Sequence, residues 1–264
     1  MDLLLSDKTA FVSGSTAGIG FAIAERLARE GAAVIVNGRT QQRVENAIAA
    51  VKTAAPDARI QGFAADLGSS AAAAEAIRRF PHVDILVNNL GIFEAKPFEQ
   101  IPDEDWVRFF EVNVLSGVRL SRGYLPYMKE RNWGRVIFIS SESALQIPAE
   151  MVHYGMTKTA QLAVARGIAE SFAGTNITVN SVLAGPTASE GVHTFVKQVA
   201  TAQNLSEAAV EKEFFRTIRP TSLLGRFEQP EEIAHVVAFV ASPLASGVNG
   251  SALRVDGGVV RSIA

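Results

Sequence analysis

Short apolar runs alternate with amphipathic or alanine-rich stretches along the whole chain, and this alternation narrows the fold more than any other feature. Val34-Ile35-Val36, Ile60 to Ala65, Ile85-Leu86-Val87, Val136 to Ile139 and Ile177-Thr178-Val179 each stand between helical patterns. Strands joined through helices run parallel, and a parallel sheet is buried by helices on both faces. The expectation is an α/β fold with one doubly wound parallel sheet. With 264 residues and 48% hydrophobic content the chain can fill a single substantial core. No linker or solenoid repeat divides it, so one domain is expected over residues 1–264.

Ahead of these runs, Thr9-Ala10-Phe11-Val12-Ser13 is a further strand candidate. It leads into Gly14-Ser15-Thr16-Ala17-Gly18-Ile19-Gly20 and then a helical pattern from Phe21 to Glu30, with Gly31 as its C-cap. A glycine-rich turn between strand and helix lets backbone amides and the positive helix end approach a pyrophosphate. The spacing is Gly-x-x-x-Gly-x-Gly rather than Gly-x-Gly-x-x-Gly, and by itself it also reads as a tight turn. Further along, Tyr154 and Lys158 are four residues apart and share one face of a helix. A free phenol titrates near pH ~10, so a working base at neutrality needs its phenolate stabilised by roughly 4 kcal/mol. Lys158 is placed to supply part of that, although a Tyr and a Lys one turn apart also occur by chance. The run Gly134-Arg135-Val136-Ile137-Phe138-Ile139-Ser140-Ser141 puts Ser141 at a strand's carboxyl end. Open α/β sheets bind their ligands there.

Taken together and in this order, the glycine turn, Asp66-Leu67, Asn88-Asn89-Leu90-Gly91, Asn113, Ser141, Tyr154/Lys158 and Val255-Asp256-Gly257-Gly258 resemble the short-chain dehydrogenase/reductase family over essentially all of the chain. The resemblance implies a single Rossmann-type NAD(P)-binding domain. It implies a hydride passed between nicotinamide and a ketone or secondary alcohol, with Ser141 and Tyr154 holding the carbonyl oxygen. Tyr154 would exchange the proton, and Lys158 would hold the nicotinamide ribose and lower the Tyr154 pKa. Asn113 would anchor a water linking Lys158 to solvent, a merely structural amide being the other reading. Gly14, Ser15, Gly18, Ile19 and Gly20 would cradle the cofactor, Asp66 and Leu67 would meet its adenine, and Asn88 and Gly91 would line its path, a structural role for Asn88 and Asn89 being itself what the resemblance implies. A helix N-cap is the other reading of Asp66. After the sixth strand the family's Pro-Gly is here Ala184-Gly185-Pro186-Thr187. Gly185 keeps the flexible position, and Thr187 or Ser189 would reach the carboxamide. The irregular region of about 185–229 reads as a substrate lid or a packing excursion. In the family it closes over substrate, and the last elements contribute to dimer and tetramer contacts.

The cofactor preference turns on Val36-Asn37-Gly38-Arg39, about twenty residues past the glycine turn. Gly38 stands where an acidic residue would bind the ribose diol of NAD. Arg39 suits a 2′-phosphate, with Ser15 as a second contact, so NADP(H) is favoured and NAD(H) stays open. A solvated surface arginine is the other reading. The net charge of −2 gives no case for nucleic acid, so partners are expected to be a small carbonyl or alcohol substrate and further copies of the chain. His82, His153, His193 and His235 show no metal-ligand spacing, and no metal is expected. Of these, His153 adjoins Tyr154 and could face the substrate cleft. The start, Met1-Asp2-Leu3-Leu4-Leu5-Ser6-Asp7-Lys8, lacks the basic and long apolar regions of a signal peptide, and a cytoplasmic protein is expected. The substrate is not readable: a β-ketoacyl thioester, sugar, polyol, steroid or small ketone is compatible. A cofactor-binding sensor without turnover is the reading from another class.

Overall fold

Every apolar run named above becomes a strand of one sheet in the computed structural model, which describes residues 1–263 and, apart from Thr194, Phe195 and Gln203, their side chains. The strands are β1 (Thr9–Val12), β2 (Ala33–Gly38), β3 (Ile60–Ala64), β4 (Ile85–Asn88), β5 (Gly134–Ser141), β6 (Ile177–Ala184) and β7 (Ala252–Val255). They lie in the order β3-β2-β1-β4-β5-β6-β7, and every neighbouring pair is parallel. The fold is the single-domain, Rossmann-type doubly wound α/β sheet that the alternation implies.

Side chains leave the sheet alternately on two faces, and two cores result. Ala10 and Val12 of β1 and Ile85 and Val87 of β4 face one layer, with Ile23 and Leu27 of α1 (Gly18–Arg29), Val44 of α2 (Gln41–Ala54) and Val237 of α9 (Pro230–Ala241). Phe11 and Leu86 face the other, with Ala76 of α3 (Ser70–Arg79), Leu120 and Tyr124 of α5 (Ser116–Glu130) and Ala165 of α6 (Val152–Ser171). α4 (Asp103–Phe110) precedes α5, and the two are joined by a π-helical turn, Glu111–Leu115.

The chain's progress across the sheet reverses between β1 and β4. Loops leaving those strands therefore diverge, opening a crevice at the carboxyl edge. Gly14, Asn88, Ser141 and Gly185 all lie at or just past strand ends on that edge.

Within the region of about 185–229, α7 (Glu190–Gln203) and α8 (Glu207–Thr217) share a small core of their own. Val196, Val210, Phe215 and Phe227 form it, and the Phe214, Phe215 and Phe227 rings sit 5.1–5.2 Å apart. The segment rejoins the sheet through Glu228, which bridges Thr187 and accepts the Gly185 amide at 3.0 Å. Glu228 is buried, and burial pushes its carboxyl up to about 7, helped by the charges of Glu232 and Asp256.

A carboxyl raised above its unfolded value of about 4.5 makes the native state hold the extra proton. Its contribution to stability is complete below that value and is lost as pH rises through about 7. Glu228→Gln keeps an acceptor for Gly185 without the charge. In denaturant titrations the variant is expected to gain on the order of 1–3 kcal/mol over wild type between about pH 5 and pH 8. A stability difference that does not change with pH would contradict this.

Candidate active site

Two asparagines shape the glycine turn. Asn89 Nδ2 donates to the carbonyls of Ser13 (3.0 Å) and Gly14 (2.9 Å), while its own amide bonds to Ser13 Oγ at 3.0 Å. Asn37 Oδ1 accepts the Gly14 amide at 3.0 Å, and its Nδ2 donates to Phe63 O and Ala65 O, both at 3.0 Å. The chain fits between them only with glycine. Gly14 has φ +61°, and a Cβ on Gly20 would stand 2.4 Å from both Asn89 Nδ2 and Gly14 O. α1 begins at Gly18, three residues before the amphipathic pattern, with no side-chain cap and no acid in its first turn. Its first amides thus remain available to an anion. Ile19, beside them, packs against the core.

Ser15 departs from expectation. It is fully buried, its hydroxyl donates to Val12 O at 2.7 Å and accepts the Asn37 amide at 2.9 Å, so it locks the turn instead of meeting a phosphate. Thr16 lies against Gly38, whose added Cβ would come within 2.4 Å of it, and Arg39 follows on the surface. The Arg39 guanidinium makes no hydrogen bond or ion pair with another described residue. Asp66 is exposed and caps its own loop by accepting the Gly68 amide at 3.0 Å; Ser69, not Asp66, is the N-cap of α3. Leu67 is buried in the core. Asn88 points away from the crevice, donating to Ser121 Oγ of α5 at 3.1 Å.

Ser141, Tyr154, Lys158 and Asn113 come together. Ser141 ends β5, and Tyr154 and Lys158 lie in the first two turns of α6. Lys158 is buried, and Nζ donates to Ile139 O at 2.9 Å and to Gln161 Oε1 at 3.3 Å. Burial lowers its pKa to about 8. Asn113 sits in the π-helical turn, a distortion that frees backbone groups. Its Oδ1 accepts the Ile92 amide at 2.8 Å, and its Nδ2 donates to Ile92 O and Thr157 Oγ1, both at 3.0 Å. Its carbonyl accepts Gln161 Nε2 at 2.7 Å. Gln161 therefore spans Lys158 and Asn113. The phenol also differs from expectation: burial raises the Tyr154 pKa, with Lys158 Nζ 5.6 Å from the ring centroid. Desolvation, with the Glu142 charge adding to it, sets the direction.

Gln161 and Arg219 escaped the sequence reading; Glu142, which from its place between Ser141 and Tyr154 reads as a pocket group or a solvated loop carboxylate, is buried beside Ser141 and pairs with Arg219 at 2.9 Å. His153, which could have faced the cleft from its place beside Tyr154, is instead a packing residue, its ring fully buried against Phe109 with 4.0 Å between centroids. At the far end Gly185 packs on Asp256, where a Cβ would come within 2.7 Å. Thr187 is buried and donates to Gly185 O at 2.9 Å. Ser189 is the N-cap of α7.

Residues 13–260 match a family model described as enoyl-(acyl carrier protein) reductase. The chain belongs to the short-chain dehydrogenase/reductase family. It is an NAD(P)-dependent oxidoreductase. An uncharacterised oxidoreductase of Bacillus subtilis, YvaG, is 52% identical, with all of both chains covered. A 3-oxoacyl-[acyl-carrier-protein] reductase of Aquifex aeolicus is 33% identical over 98% of this chain and all of its own. L-sorbose reductase of Gluconobacter frateurii, solved with NADPH and L-sorbose, superposes with TM-score 0.94 at 30% identity over all of both chains. No described helix is long and apolar enough to cross a membrane.

The residues present fit a dinucleotide. The uncapped α1 end suits its pyrophosphate, and a Cβ on Gly91 would stand before Lys158, 3.5 Å from Lys158 Nζ and 3.6 Å from Asn113 Oδ1. Those distances are ordinary contacts, so Gly91→Ala is expected to fold with stability within ~0.5 kcal/mol of wild type. Its NADPH affinity should fall at least about tenfold, some 1.4 kcal/mol, in a calorimetric titration. Unchanged affinity would place the nicotinamide end elsewhere.

Proposed function

We propose that the protein reduces a ketone to a secondary alcohol with NADPH, Ser141, Tyr154, Lys158 and Asn113 forming its catalytic set. The observation that carries this reading is the convergence of Tyr154, Ser141 and a buried, hydrogen-bonded Lys158 on the crevice at the carboxyl edge. When bound, the cofactor supplies the hydride in reduction and takes it up in oxidation. Tyr154 gives its proton to the carbonyl oxygen as negative charge develops there, and recovers it in the reverse direction. Ser141 stands beside it at the end of β5. Lys158 spends two of its three donors on Ile139 O and Gln161, which leaves one for the nicotinamide ribose. Asn113 and Gln161 hold the wall against which Lys158 rests.

For the cofactor, Gly14, Gly18, Ile19 and Gly20 form the pyrophosphate turn, Asp66 and Leu67 flank adenine, and Gly91, Gly185 and Thr187 line the nicotinamide end. NADPH is favoured over NADH by the unpaired Arg39 guanidinium and by the absence of an acid at Gly38, and the NADPH complex of the sorbose reductase agrees. The buried polar groups beside Ser141 favour a hydroxylated ketone over a wholly apolar one, as does the L-sorbose in that neighbour. Phe239 and Leu244, exposed on and after α9, support a homodimer or homotetramer. The region of about 185–229 serves as the substrate lid, and the cytoplasm is the compartment.

Tyr154→Phe is expected to lower turnover of hydroxyketones by at least about a thousandfold, the upper part of the range for a lost general acid, while NADPH binding stays near wild type. A fully active variant would overturn the mechanism. Arg39→Ala is expected to weaken NADPH at least about tenfold and leave NADH unaffected, read as thermal stabilisation by each at equal concentration. Equal losses for both cofactors would remove Arg39 from the preference.

A further inference from the structure

Glu142 stands one residue beyond Ser141, in the short 3₁₀ turn Glu142–Ala144, and is buried. A carboxylate out of water needs donors, and four reach this one. Oε2 accepts the Ser141 hydroxyl, the Ser143 amide at 2.7 Å and the Ser143 hydroxyl at 3.0 Å, while Oε1 accepts Arg219 Nε at 2.9 Å. A serine hydroxyl has a single hydrogen. Here Glu142 takes it, and Ser141 Oγ is left with its lone pairs, one of them accepting the Ser143 amide at 3.1 Å.

Arg219 comes from beyond α8, at the end of the segment that carries the two-helix core. It is itself buried, and its Nη1 reaches Glu150 at 3.3 Å. A guanidinium fixed between two carboxylates ties that segment to the residue next to the catalytic serine.

We propose that Glu142 and Arg219 are a positioning pair for the reaction. Glu142, fixed by Arg219, holds Ser141 in place beside Tyr154, and Arg219 balances the Glu142 charge beside the phenol. The proposal rests on the reading of Tyr154 as acid and base. The groups that face Tyr154 are Lys158 on its own helix, Ser141 from β5, Glu142 from the turn, Arg219 from beyond α8 and the Phe93 ring from the β4 loop. Burial does most to raise the phenol; Glu142 adds to the rise, and Arg219 opposes it. The two members of one ion pair thus act on Tyr154 with opposite signs.

That opposition gives a test that a merely structural pair would fail. The chain has three tyrosines, Tyr124, Tyr127 and Tyr154, so an ultraviolet tyrosinate titration of the NADP⁺-loaded protein, less the same titration of Tyr154→Phe, isolates Tyr154. Glu142→Gln is expected to move its midpoint below wild type and into the accessible alkaline range. Arg219→Gln is expected to leave it above wild type or beyond that range. The double variant removes both charges and should fall between the two. Single variants that shift the midpoint in the same direction would overturn the pair, as would Glu142→Gln leaving it unmoved. Turnover by Tyr154→Phe would instead overturn the functional reading, and does not bear on the order of the midpoints.

Discussion

The site is arranged around the hydrogen bonds with which Asn89 holds the glycine turn to the end of β4. β1 and β4 are neighbours, yet the chain leaves them in opposite directions, so without a tie their loops would part. Asn89 supplies the tie from the β4 side and Asn37 from the β2 side. Between them the turn is packed so closely that a methyl at Gly20 has no room. The first turn of α1 is thereby aimed into the crevice, and the positive end of its dipole becomes part of a binding site.

The other half of the site depends on burying an ammonium. Removing a charge from water is costly unless hydrogen bonds replace the solvent. Lys158 is met by a strand-end carbonyl from β5 and by an amide on its own helix, and it responds with a lowered pKa. The π-helical turn makes the second contact secure. By widening the helix at Asn113 it presents a carbonyl to Gln161 and a side-chain amide to Ile92 and Thr157. The loop after β4, the α4–α5 junction and α6 are thus pinned around one cation. Phe109 on the neighbouring α4 is packed against His153, so the helix that carries Tyr154 is held from behind as well.

The fold was legible because its causes are local. Strands such as Ile85-Leu86-Val87 and Val136 to Ile139 are short, β-branched and bounded by helical patterns, and each became a strand. That Ser141, Tyr154 and Lys158 lie together was legible because spacing on one helix and the end of one strand settle most of that geometry. What escaped depends on distance along the chain. Arg219 and Glu142 are separated by 77 positions, and nothing near either announces the other. Ser15 was misread for a related reason: its hydroxyl is claimed by Val12 O and by the Asn37 amide of β2, and only strand pairing reveals that. The Tyr154 pKa was read from the charge next to it, whereas burial, which no sequence pattern displays, has the larger effect. His153 turned inward because Phe109 and Trp106 offered it an aromatic pocket.

The central claim is that the glycine turn and the Lys158 cradle hold the two ends of one dinucleotide. Its most direct test is a crystal structure of the protein with NADP⁺. The pyrophosphate should lie on the first amides of α1, the nicotinamide ribose on Lys158 and the 2′-phosphate on Arg39. A cofactor bound with its nicotinamide away from Gly91 and Tyr154, or with its pyrophosphate off the α1 terminus, would contradict the account.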